Sequence, residues 1–334
     1  MVSILKRKLL FRNKQGLKAI NLSLSLECGA NCIFCPPAPR AKTIKQRIMS
    51  LEYVDRIINE IVSERFMKKH HIESMSISQN GDAFLNKEIL GILRLIKRRA
   101  PHIRVRVFTN FSNLTKELSE VILGENLIRE FNCNIDGCNE INYFNVKKLN
   151  LNVVKSNLTG FLETRKRLNR VSPLTIQVLT LHNYIHTVYK YFGFYPCKLD
   201  NQKLISVPDD FNLIKEQYEK IIDLSQDRII ESPVFAWAER EKLRIKDIDY
   251  SKYTCPLIKR VREEAFIAPD GSWYACCYDA QNELILGNVL DDSIDRIFNS
   301  KKRKKLIKLL EEQRFSRIDG PCRTVPCCQD LPVS

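Results

Sequence analysis

Between about residues 18 and 240, two hydrophobic periodicities take turns along the chain. Segments with an apolar residue at every second position, such as Ala19–Leu26, predict strands. Segments with apolar residues three and four positions apart, such as Lys87–Arg99, predict amphipathic helices. About five or six strand–helix pairs follow one another in this region. Strands that alternate with helices usually pair in parallel, and a full eight-unit barrel takes ~250 residues. We therefore predict an α/β fold built on a partial (β/α)6 TIM-like barrel.

The periodicity places the individual elements and a domain boundary. The predicted strands are 19–26, 74–78, 103–108, 131–135 and 174–179. The predicted helices begin near Ser50 and cover 87–99, 114–123 and 158–168. Residues 227–249 are charged and show no clear strand pattern, so we place the end of the barrel there. This division predicts a basic extension at 1–17, a core domain at 18–240 and a small α+β domain at 241–334.

Composition and charge narrow the class of protein. Hydrophobic residues make up 44% of the 334 residues, which argues against a disordered chain. No window approaches the ~20 apolar residues that cross a bilayer, and the first residues lack a signal-peptide pattern, so we expect a cytoplasmic protein. The formal charge of +15 is spread over four basic runs, which we expect to be solvated: Lys6–Lys8, Lys97–Arg99, Arg165–Arg170 and Lys301–Lys305. No nucleic-acid motif accompanies this charge, so solvated faces explain it, and an acidic flavodoxin or ferredoxin as electron donor would also fit.

Cysteines are grouped near the two ends of the chain. The first group, Cys28, Cys32 and Cys35, has the spacing Cx3Cx2C and follows the strand that ends at Leu26. Thiolates this close converge on a metal centre, and they select zinc or iron–sulfur clusters. A structural zinc ion wants four ligands, and the next histidine is His70. Three cysteines on a [4Fe–4S] cluster leave one iron open for chemistry. A zinc site completed by a distant residue remains the alternative.

The spacing, with the aromatic Phe34 before the last cysteine, resembles the signature of the radical S-adenosylmethionine (radical SAM) superfamily. The resemblance implies that Cys28, Cys32 and Cys35 hold a [4Fe–4S] cluster whose open iron binds S-adenosylmethionine (SAM). Enzymes of this superfamily reduce SAM by one electron to methionine and a 5′-deoxyadenosyl radical, which abstracts a hydrogen atom from the substrate.

Further matches to this superfamily follow predicted strands. Gly81-Asp82-Ala83 is similar to its Gly-Glu-Pro-type motif, which holds the amino group of SAM, although Asp replaces Glu and Ala replaces Pro. Thr109-Asn110 is similar to a Thr-Asn pair of relatives, and Asn134–Gly137, with Asp136, resembles a Ser-Ile-Asp-Gly turn beside the ribose and substrate. The resemblance implies SAM contacts at Gly81, Asp82, Thr109, Asn110 and Asp136. Ordinary turn chemistry at strand ends is the alternative for each match.

The second cysteine group begins at Cys255. After fifteen residues comes Gly271, and Cys276 lies five residues further on; Asp270-Gly271 predicts a hairpin turn that brings Cys276 or Cys277 towards Cys255. This part resembles the SPASM/Twitch extension of radical SAM enzymes, and the few remaining cysteines favour one auxiliary [4Fe–4S] cluster, as in the Twitch form. The resemblance assigns four ligands: Cys255, Cys276, Cys322 and Cys327. Cys277 and Cys328 are the rivals at the two doublets, and a four-cysteine zinc site is the alternative.

Other cysteines and an aromatic residue have simpler explanations. Cys197, in Tyr195-Pro196-Cys197, could return a hydrogen atom to a substrate radical, but a buried thiol that behaves as a small apolar residue is the ordinary interpretation. We also predict core thiols at Cys133 and Cys138, and a core position for Trp237 near the domain boundary.

The function that the resemblance implies is hydrogen abstraction from a substrate for oxidation, epimerisation or peptide modification. Enzymes with this architecture act on ribosomal peptides, on amino sugars or on other enzymes, and no residue decides among these substrates. A non-catalytic zinc or iron–sulfur protein associated with RNA is the alternative from another class of function.

Overall fold

A computed structural model describes most of the chain: residues 16–32, 35, 46–180, 210–233, 255, 257–277, 279, 283–320 and 322. Its strands are β1 Ala19–Leu22, β2 Ser74–Ser76, β3 Arg104–Thr109, β4 Glu130–Asn134, β5 Leu174–Thr180, β6 Arg228–Pro233, β7 Glu264–Ile267, β8 Ser272–Tyr274 and β9 Ile285–Asn288. Its helices are α1 Leu51–Ile61, α2 Glu64–Met67, α3 Ile89–Arg99, α4 Lys116–Gly124, α5 Glu140–Lys147, α6 Leu151–Arg167, α7 Phe211–Glu219, α8 Ile258–Glu263, α9 Ile294–Phe298 and α10 Lys301–Glu311.

One sheet joins all nine of these strands, in the order β6-β5-β4-β3-β2-β1-β7-β8-β9. Strands β1 to β6 are parallel to their neighbours and lie in chain order, each reached from the one before through at least one helix. This arrangement is the strand order of an open (β/α) barrel, and it confirms the predicted α/β class. Because the strands are parallel, their carboxyl ends share one edge of the sheet, which is where the predicted site residues follow β1 to β4.

Alternation along β1 shows how the two faces of the sheet differ. Ile20, Leu22 and Leu24 are fully buried in the apolar core, whereas Asn21 and Ser23 point to the opposite face. The same alternation continues in β2 and β3, where register pairs Asn21 with Ser76 and Ser76 with Arg106. One face of the sheet therefore packs against the helices, and the other presents polar side chains.

The helices follow their predicted apolar faces closely where the pattern is strong. In α1, Val54, Ile57, Ile58 and Ile61 are buried, and the hydroxyl of Ser50 accepts from the backbone N–H of Tyr53 at 3.3 Å to cap the helix. Two helices that we did not predict are less regular. In α5, the apolar side chains of Ile141 and Phe144 are exposed, and α7 likewise exposes Leu213, so neither shows a clean apolar stripe.

Strand β6 corrects the prediction that residues 227–249 contain no strand. Its sequence, RIIESP, has two apolar residues between charged and polar ones, which hides the two-residue period. Within the described residues β6 lies at one edge of the sheet, where it needs only one hydrogen-bonded neighbour and where charge and proline are common. Arg228 donates to the hydroxyl of Thr175 on β5 at 3.0 Å, which helps to fix the pairing.

The C-terminal strands extend the same sheet on the other side of β1. Strand β7 pairs in parallel with β1, and β7 and β8 form the predicted antiparallel hairpin around Asp270-Gly271. Gly271 has a φ of +81°, a conformation that suits glycine in such a turn. The predicted domain boundary at 240 and 241 lies outside the described residues and stays a prediction.

Two basic runs each contain an arginine that is not solvated, contrary to our prediction for those runs. Arg165 is buried and forms a two-pronged ion pair with the buried Asp227, at 2.7 and 2.5 Å. Arg303 is buried in the run 301–305 and donates to the carbonyls of Phe298 and Val261 at 3.0 and 2.9 Å. Each guanidinium provides several N–H donors, so one buried arginine can form hydrogen bonds with several carbonyl or carboxylate oxygens of neighbouring elements. Across the described residues, no helix is long and apolar enough to cross a membrane.

Candidate functional site

The N-terminal cysteine loop, defined here as residues 28–35, begins six residues after the end of β1. Cys28 and Cys35 are exposed and Cys32 is half-buried. The backbone N–H of Cys35 donates to the carbonyl of Cys32 at 3.1 Å, which turns the chain between these two thiols. The amide of Asn110, just past the end of β3, lies 3.6 Å from the sulfur of Cys28. The predicted pair Thr109-Asn110 is thus brought to the cysteine loop. Phe34 lies outside the described residues.

Gly81 packs directly against the base of this loop. Its φ is +73°, and a Cβ atom there would lie 2.3 Å from the carbonyl oxygen of Ser25 and 2.7 Å from that of Glu27. The next residue, Asp82, donates its backbone N–H to the carbonyl of Glu27 at 2.7 Å. Any side chain at position 81 would clash with the backbone just before Cys28. The predicted Gly81-Asp82-Ala83 motif therefore forms part of the loop's support.

The carboxylate of Asp82 is buried and accepts hydrogen bonds from other groups of the protein. It accepts from the backbone N–H of Phe84 and the amide of Asn113, each at 3.1 Å, and from the hydroxyl of Thr109 at 3.5 Å. Desolvation raises the pKa of Asp82, and these hydrogen bonds act in the opposite direction. Asp82 therefore ties the second and third strand ends together. That it also receives the ammonium group of SAM stays a prediction.

Asp136, after β4, is also engaged by the protein. One carboxylate oxygen accepts from the backbone N–H of Leu179 at 2.7 Å, and the other lies 2.9 Å from the ammonium of Lys147. Both side chains of this ion pair are buried. Gly137 is close-packed on α5, since a Cβ atom there would lie 2.4 Å from the backbone nitrogen of Tyr143. This contact seats the turn after β4 on the helix that carries Lys147.

Lys147 is a site residue that we did not predict from the sequence. Its backbone carbonyl accepts from the N–H of Asn31, next to Cys32, at 3.0 Å, and its ammonium pairs with Asp136 at 2.9 Å. Desolvation would lower the pKa of Lys147, but the charges of Asp136 and Cys32 raise it well above its ordinary value. A lysine at the C-terminal end of a helix is common, so the sequence carries no signal that this one is buried.

The donor set of the loop fits the predicted iron–sulfur cluster. Three thiols are soft ligands of the kind that such clusters use, and the amide of Asn110 lies 3.6 Å from the sulfur of Cys28. Cys28, Cys32 and Cys35 would hold the cluster, and their role stays a prediction.

The described C-terminal cysteines differ in burial. Cys276 and Cys277 lie two and three residues after the end of β8 and are buried, while Cys255 and Cys322 are half-buried. Cys327 and Cys328 lie outside the described residues. The predicted set of four ligands therefore stays a prediction.

A guanidinium distinguishes the two cysteines of the first doublet. Arg260 on α8 donates to the sulfur of Cys277 at 3.0 Å, and it also pairs with the carboxylate of Glu264 at 3.0 Å. Desolvation would lower the pKa of Arg260, but Cys277 and Glu264 raise it above its ordinary value. The choice between Cys276 and Cys277 as a cluster ligand remains open, since a sulfur that ligates iron can also accept such a hydrogen bond.

The hairpin also reaches the polar face of the barrel. The hydroxyl of Tyr274 on β8 accepts from the amide of Asn80 at 3.0 Å and lies 3.5 Å from the hydroxyl of Ser23, just after β1. Asn21 donates to Glu264 at 2.9 Å, so Arg260 and Cys277 connect through Glu264 to β1. Hydrogen bonds therefore connect the C-terminal cysteine region to the sheet that supports the N-terminal loop.

Comparison with known proteins agrees with this arrangement. The SPASM family, described as an iron-sulfur cluster-binding domain, matches residues 255–329. A crystal structure of BtrN in complex with AdoMet and 2-DOIA is similar, with a TM-score of 0.53, 13% identity and 92% coverage of each chain. A structure of anSMEcpe with bound AdoMet has a TM-score of 0.54 and 18% identity, over 88% of this chain and 80% of that one. No curated protein matches the sequence.

A third similar structure is Streptococcus suis SuiB bound to precursor peptide SuiA, with a TM-score of 0.58, 14% identity, and coverage of 97% of this chain and 79% of that one. BtrN, anSMEcpe and SuiB are radical SAM enzymes of the SPASM type. At these identities the likeness concerns the fold. The chain shares the partial-barrel fold of these structures, and its residues 255–329 match the SPASM iron–sulfur cluster-binding domain. The predicted fold is confirmed.

The remaining predictions concern residues away from these two regions. Cys133 on β4 is fully buried, burial raises the pKa of its thiol, and the prediction of a core thiol is confirmed. Cys138 is only half-buried, so it is not a full core residue; its backbone N–H donates to Asp210 at 3.0 Å. Cys197 and Trp237 lie outside the described residues.

Proposed function

We propose that the protein is a radical SAM enzyme, with a [4Fe–4S] cluster on Cys28, Cys32 and Cys35. The observation that carries this proposal is the meeting of the cysteine loop with Gly81 and Asn110 at one edge of the parallel sheet. Such an edge is where parallel α/β folds bind their ligands. When bound there, the cluster and SAM supply one-electron reductive cleavage of SAM to methionine and a 5′-deoxyadenosyl radical.

The residues around the loop hold the site in place. Gly81 allows the segment after β2 to touch the backbone before Cys28. The carboxylate of Asp82 accepts hydrogen bonds from Thr109 and Asn113, which link the end of β2 to the end of β3. Rigid support of this kind keeps a substrate at reacting distance from a short-lived radical. The SAM contacts proposed at Gly81, Asp82, Thr109, Asn110 and Asp136 lie along this edge.

We propose a second [4Fe–4S] cluster at the C-terminal cysteines. The match of residues 255–329 to an iron–sulfur cluster-binding domain supports it, and the proposed ligands Cys255, Cys276 and Cys322 lie within that match. Cys327 is the proposed fourth ligand. The hydrogen bond from Asn80 to Tyr274 brings this region close to the proposed SAM contact at Gly81. A second redox group this near the site suits a net oxidation of the substrate, with epimerisation and other peptide modification as the other outcomes.

The proposed substrates are a peptide or an amino-sugar-type molecule. Among the similar structures, SuiB is bound to a precursor peptide, and BtrN is in complex with 2-DOIA. The polar face of the sheet, with Ser76, Asn132 and Gln177, offers hydrogen bonds to either kind of substrate. The formal charge of +15 suits an acidic flavodoxin or ferredoxin as the electron donor.

Anaerobic reconstitution tests the proposed function. Two four-iron clusters should give about eight irons and eight sulfides per chain. With dithionite and SAM, the protein should form methionine and 5′-deoxyadenosine in equal amounts. Colourless protein that contains zinc and leaves SAM intact would contradict the proposal.

A further inference from the structure

Arg106 on β3 carries a guanidinium that the described part of the protein does not bind. The half-buried side chain lies on the polar face of the sheet, where it forms no hydrogen bond or ion pair with the described residues. Its Nε atom is shielded from solvent and still lacks an acceptor. By contrast, the buried guanidinium of Arg165 is bound on two sides by Asp227. A shielded donor without a partner costs free energy, so the environment of Arg106 needs an explanation.

Two buried side chains beside Arg106 also have oxygens without a partner. Strand pairing places Asn21 next to Ser76 and Ser76 next to Arg106, so the three residues form one row across the polar face. Asn21 and Ser76 are 0% and 1% exposed, yet within the described residues no group donates to the Oδ1 atom of Asn21 or bonds to the Oγ atom of Ser76. Buried polar atoms are nearly always satisfied by protein, water or a ligand. The row is therefore a place where a polar group from outside the protein can bind.

Phe108 shows that this face is open between Arg106 and the N-terminal cysteine loop. It lies two residues further along β3, on the same face as Arg106, and is 36% exposed. Asn110 follows and lies 3.6 Å from the sulfur of Cys28. At ~3.3 Å per residue, Arg106 and Asn110 are about 13 Å apart along the strand. A substrate held at Arg106 can therefore run past Phe108 and reach the loop.

The charges around Arg106 favour a single carboxylate as the bound group. A guanidinium binds a carboxylate through two parallel hydrogen bonds, and the hydroxyl of Ser76 can donate another. Glu130 on β4 is the register partner of Arg106, but no ion pair joins the two side chains, both of which are described. The negative charge of Glu130 repels a phosphate dianion more strongly than a carboxylate.

We propose that Arg106 binds a carboxylate of the substrate on the polar face of the sheet and makes the protein specific for a peptide with an acidic residue. The inference rests on the proposed function and deepens it, because it chooses between the two proposed kinds of substrate. A simple amino sugar carries hydroxyls and an ammonium group and offers no such carboxylate. Arg106 belongs neither to the cysteine motif nor to the proposed SAM contacts.

Binding of two small probes to the reconstituted full-length protein, measured by isothermal titration calorimetry, tests the inference. N-acetylaspartic acid amide carries the carboxylate of an acidic peptide residue, and N-acetylasparagine amide has almost the same shape without the charge. The wild type should bind the first probe about tenfold more tightly than the second, since hydrogen bonds between charged groups are the strong ones.

Four variants show whether Arg106 causes this preference. Arg106→Met should abolish it, and Arg106→Lys should keep part of it, because lysine retains the charge without the paired donors. Arg104→Met is the matched control, since it removes one positive charge from an exposed position on the same strand and face. Ser76→Ala removes only an unpartnered hydroxyl, so it should fold like the wild type and bind the acidic probe about threefold more weakly.

The outcomes separate the inference from the proposed function. Equal binding of the two probes, no binding of either at millimolar concentration, or equal losses in Arg104→Met and Arg106→Met would overturn the inference. Tighter binding of inorganic phosphate or glucosamine than of the acidic probe would overturn it as well. If circular dichroism shows that Arg106→Met does not fold, unchanged binding in both Arg106→Lys and Ser76→Ala has the same meaning. Formation of 5′-deoxyadenosine from SAM by the wild type is measured separately, and its absence would contradict the proposed function instead.

Discussion

Each of the two cysteine regions has a basic side chain that is paired with a carboxylate, but the side chains and their burial differ. Beside the N-terminal loop the cation is Lys147, which pairs with Asp136, and beside Cys277 it is Arg260, which pairs with Glu264. The exposed fractions of the first pair are 5% and 0%, against 33% and 16% for the second.

The difference in exposure matters because water and salt screen the two positive charges to different extents. An ammonium sealed from water is a point charge with an effect that salt hardly screens. A guanidinium at a partly open position spreads its charge over several donors and can bind both a thiol and a carboxylate. We infer that the charge of Lys147 acts more strongly on its neighbours than the charge of Arg260 does. We therefore expect the C-terminal region to tolerate substitution of its cation better.

The largest expected effect separates the two regions by their cysteines. Replacing Cys28, Cys32 and Cys35 by alanine should abolish formation of 5′-deoxyadenosine, because the proposed SAM-binding cluster is lost. Replacing Cys255, Cys276 and Cys322 should leave cleavage of SAM measurable while product formation from the substrate stops. Iron content, which should fall by about half in each triple variant, checks that only one cluster is lost. Cleavage of SAM by the first variant would contradict the comparison.

The second expected effect concerns the support of the N-terminal loop. Gly81→Ala should destabilise the protein by about 2–4 kcal/mol, because its φ is +73° and the new Cβ atom would meet the backbone at Ser25. Denaturant unfolding monitored by circular dichroism measures the change.

Gly124→Ala is the matched control, since a Cβ atom there meets nothing within 4 Å. This helical position should gain up to about 1 kcal/mol from the lost backbone freedom of glycine. Equal stability changes for the two variants would show that the close packing at Gly81 does not support the loop.

How far the site could be predicted depends on how local its signals are. Cys28, Cys32 and Cys35 lie within eight residues, so their spacing marks them as a possible metal site. Gly81 and Asn110 follow predicted strands, and only their resemblance to radical SAM motifs distinguishes them from ordinary turn residues. Lys147 and Arg260 come close to the cysteine regions only after the barrel and hairpin have formed. Their neighbours in sequence are ordinary charged helix residues, and no local pattern marks them.

The fold shows the same division between local and distant information. Strands β1 to β5 bury an alternating apolar face, which the sequence displays directly. Strand β6 relies on pairing with β5 instead, and its own residues do not alternate clearly. That β7 would join β1 in parallel could not be predicted, because pairing between the two ends of the chain leaves no periodic signal.

A third expected effect tests the tolerance of the C-terminal region. Arg260→Lys should retain the C-terminal cluster, and Arg260→Met should lower stability by about 1–2 kcal/mol through loss of the hydrogen bonds to Cys277 and Glu264. Neither change should alter the midpoint potential of the N-terminal cluster. A clear shift of that potential would show that the charge of Arg260 also acts on the N-terminal region.

The smallest expected effect concerns the junction between the regions. The buried His70 accepts from the backbone N–H of Leu17 through Nδ1 at 3.1 Å, and its Nε2 lies 3.2 Å from Asp295 on α9. An Nδ1 that accepts must be unprotonated. Desolvation accordingly lowers the pKa of His70, against the opposing effect of Asp295, while the nearby charges of Lys69 and Arg303 lower it further.

Because the native state binds the His70 proton less readily than the unfolded chain, this stability is present above the unfolded pKa of about 6.5. It should decline as the pH falls below that value, by up to about 1 kcal/mol by pH 5.5. The free energy of unfolding of the wild type and of His70→Asn, measured across this range, isolates the contribution. A slope that is the same in both proteins would assign the pH dependence to other groups.

The central claim is that SAM binds at the N-terminal cysteine loop and not at the C-terminal cysteines. EPR spectra of the reduced protein, recorded with and without SAM in the two triple-cysteine variants, test it most directly. The account predicts that SAM changes the spectrum of the variant that keeps Cys28, Cys32 and Cys35 and leaves the other spectrum unchanged. A SAM-dependent change in the variant without those three cysteines would contradict it.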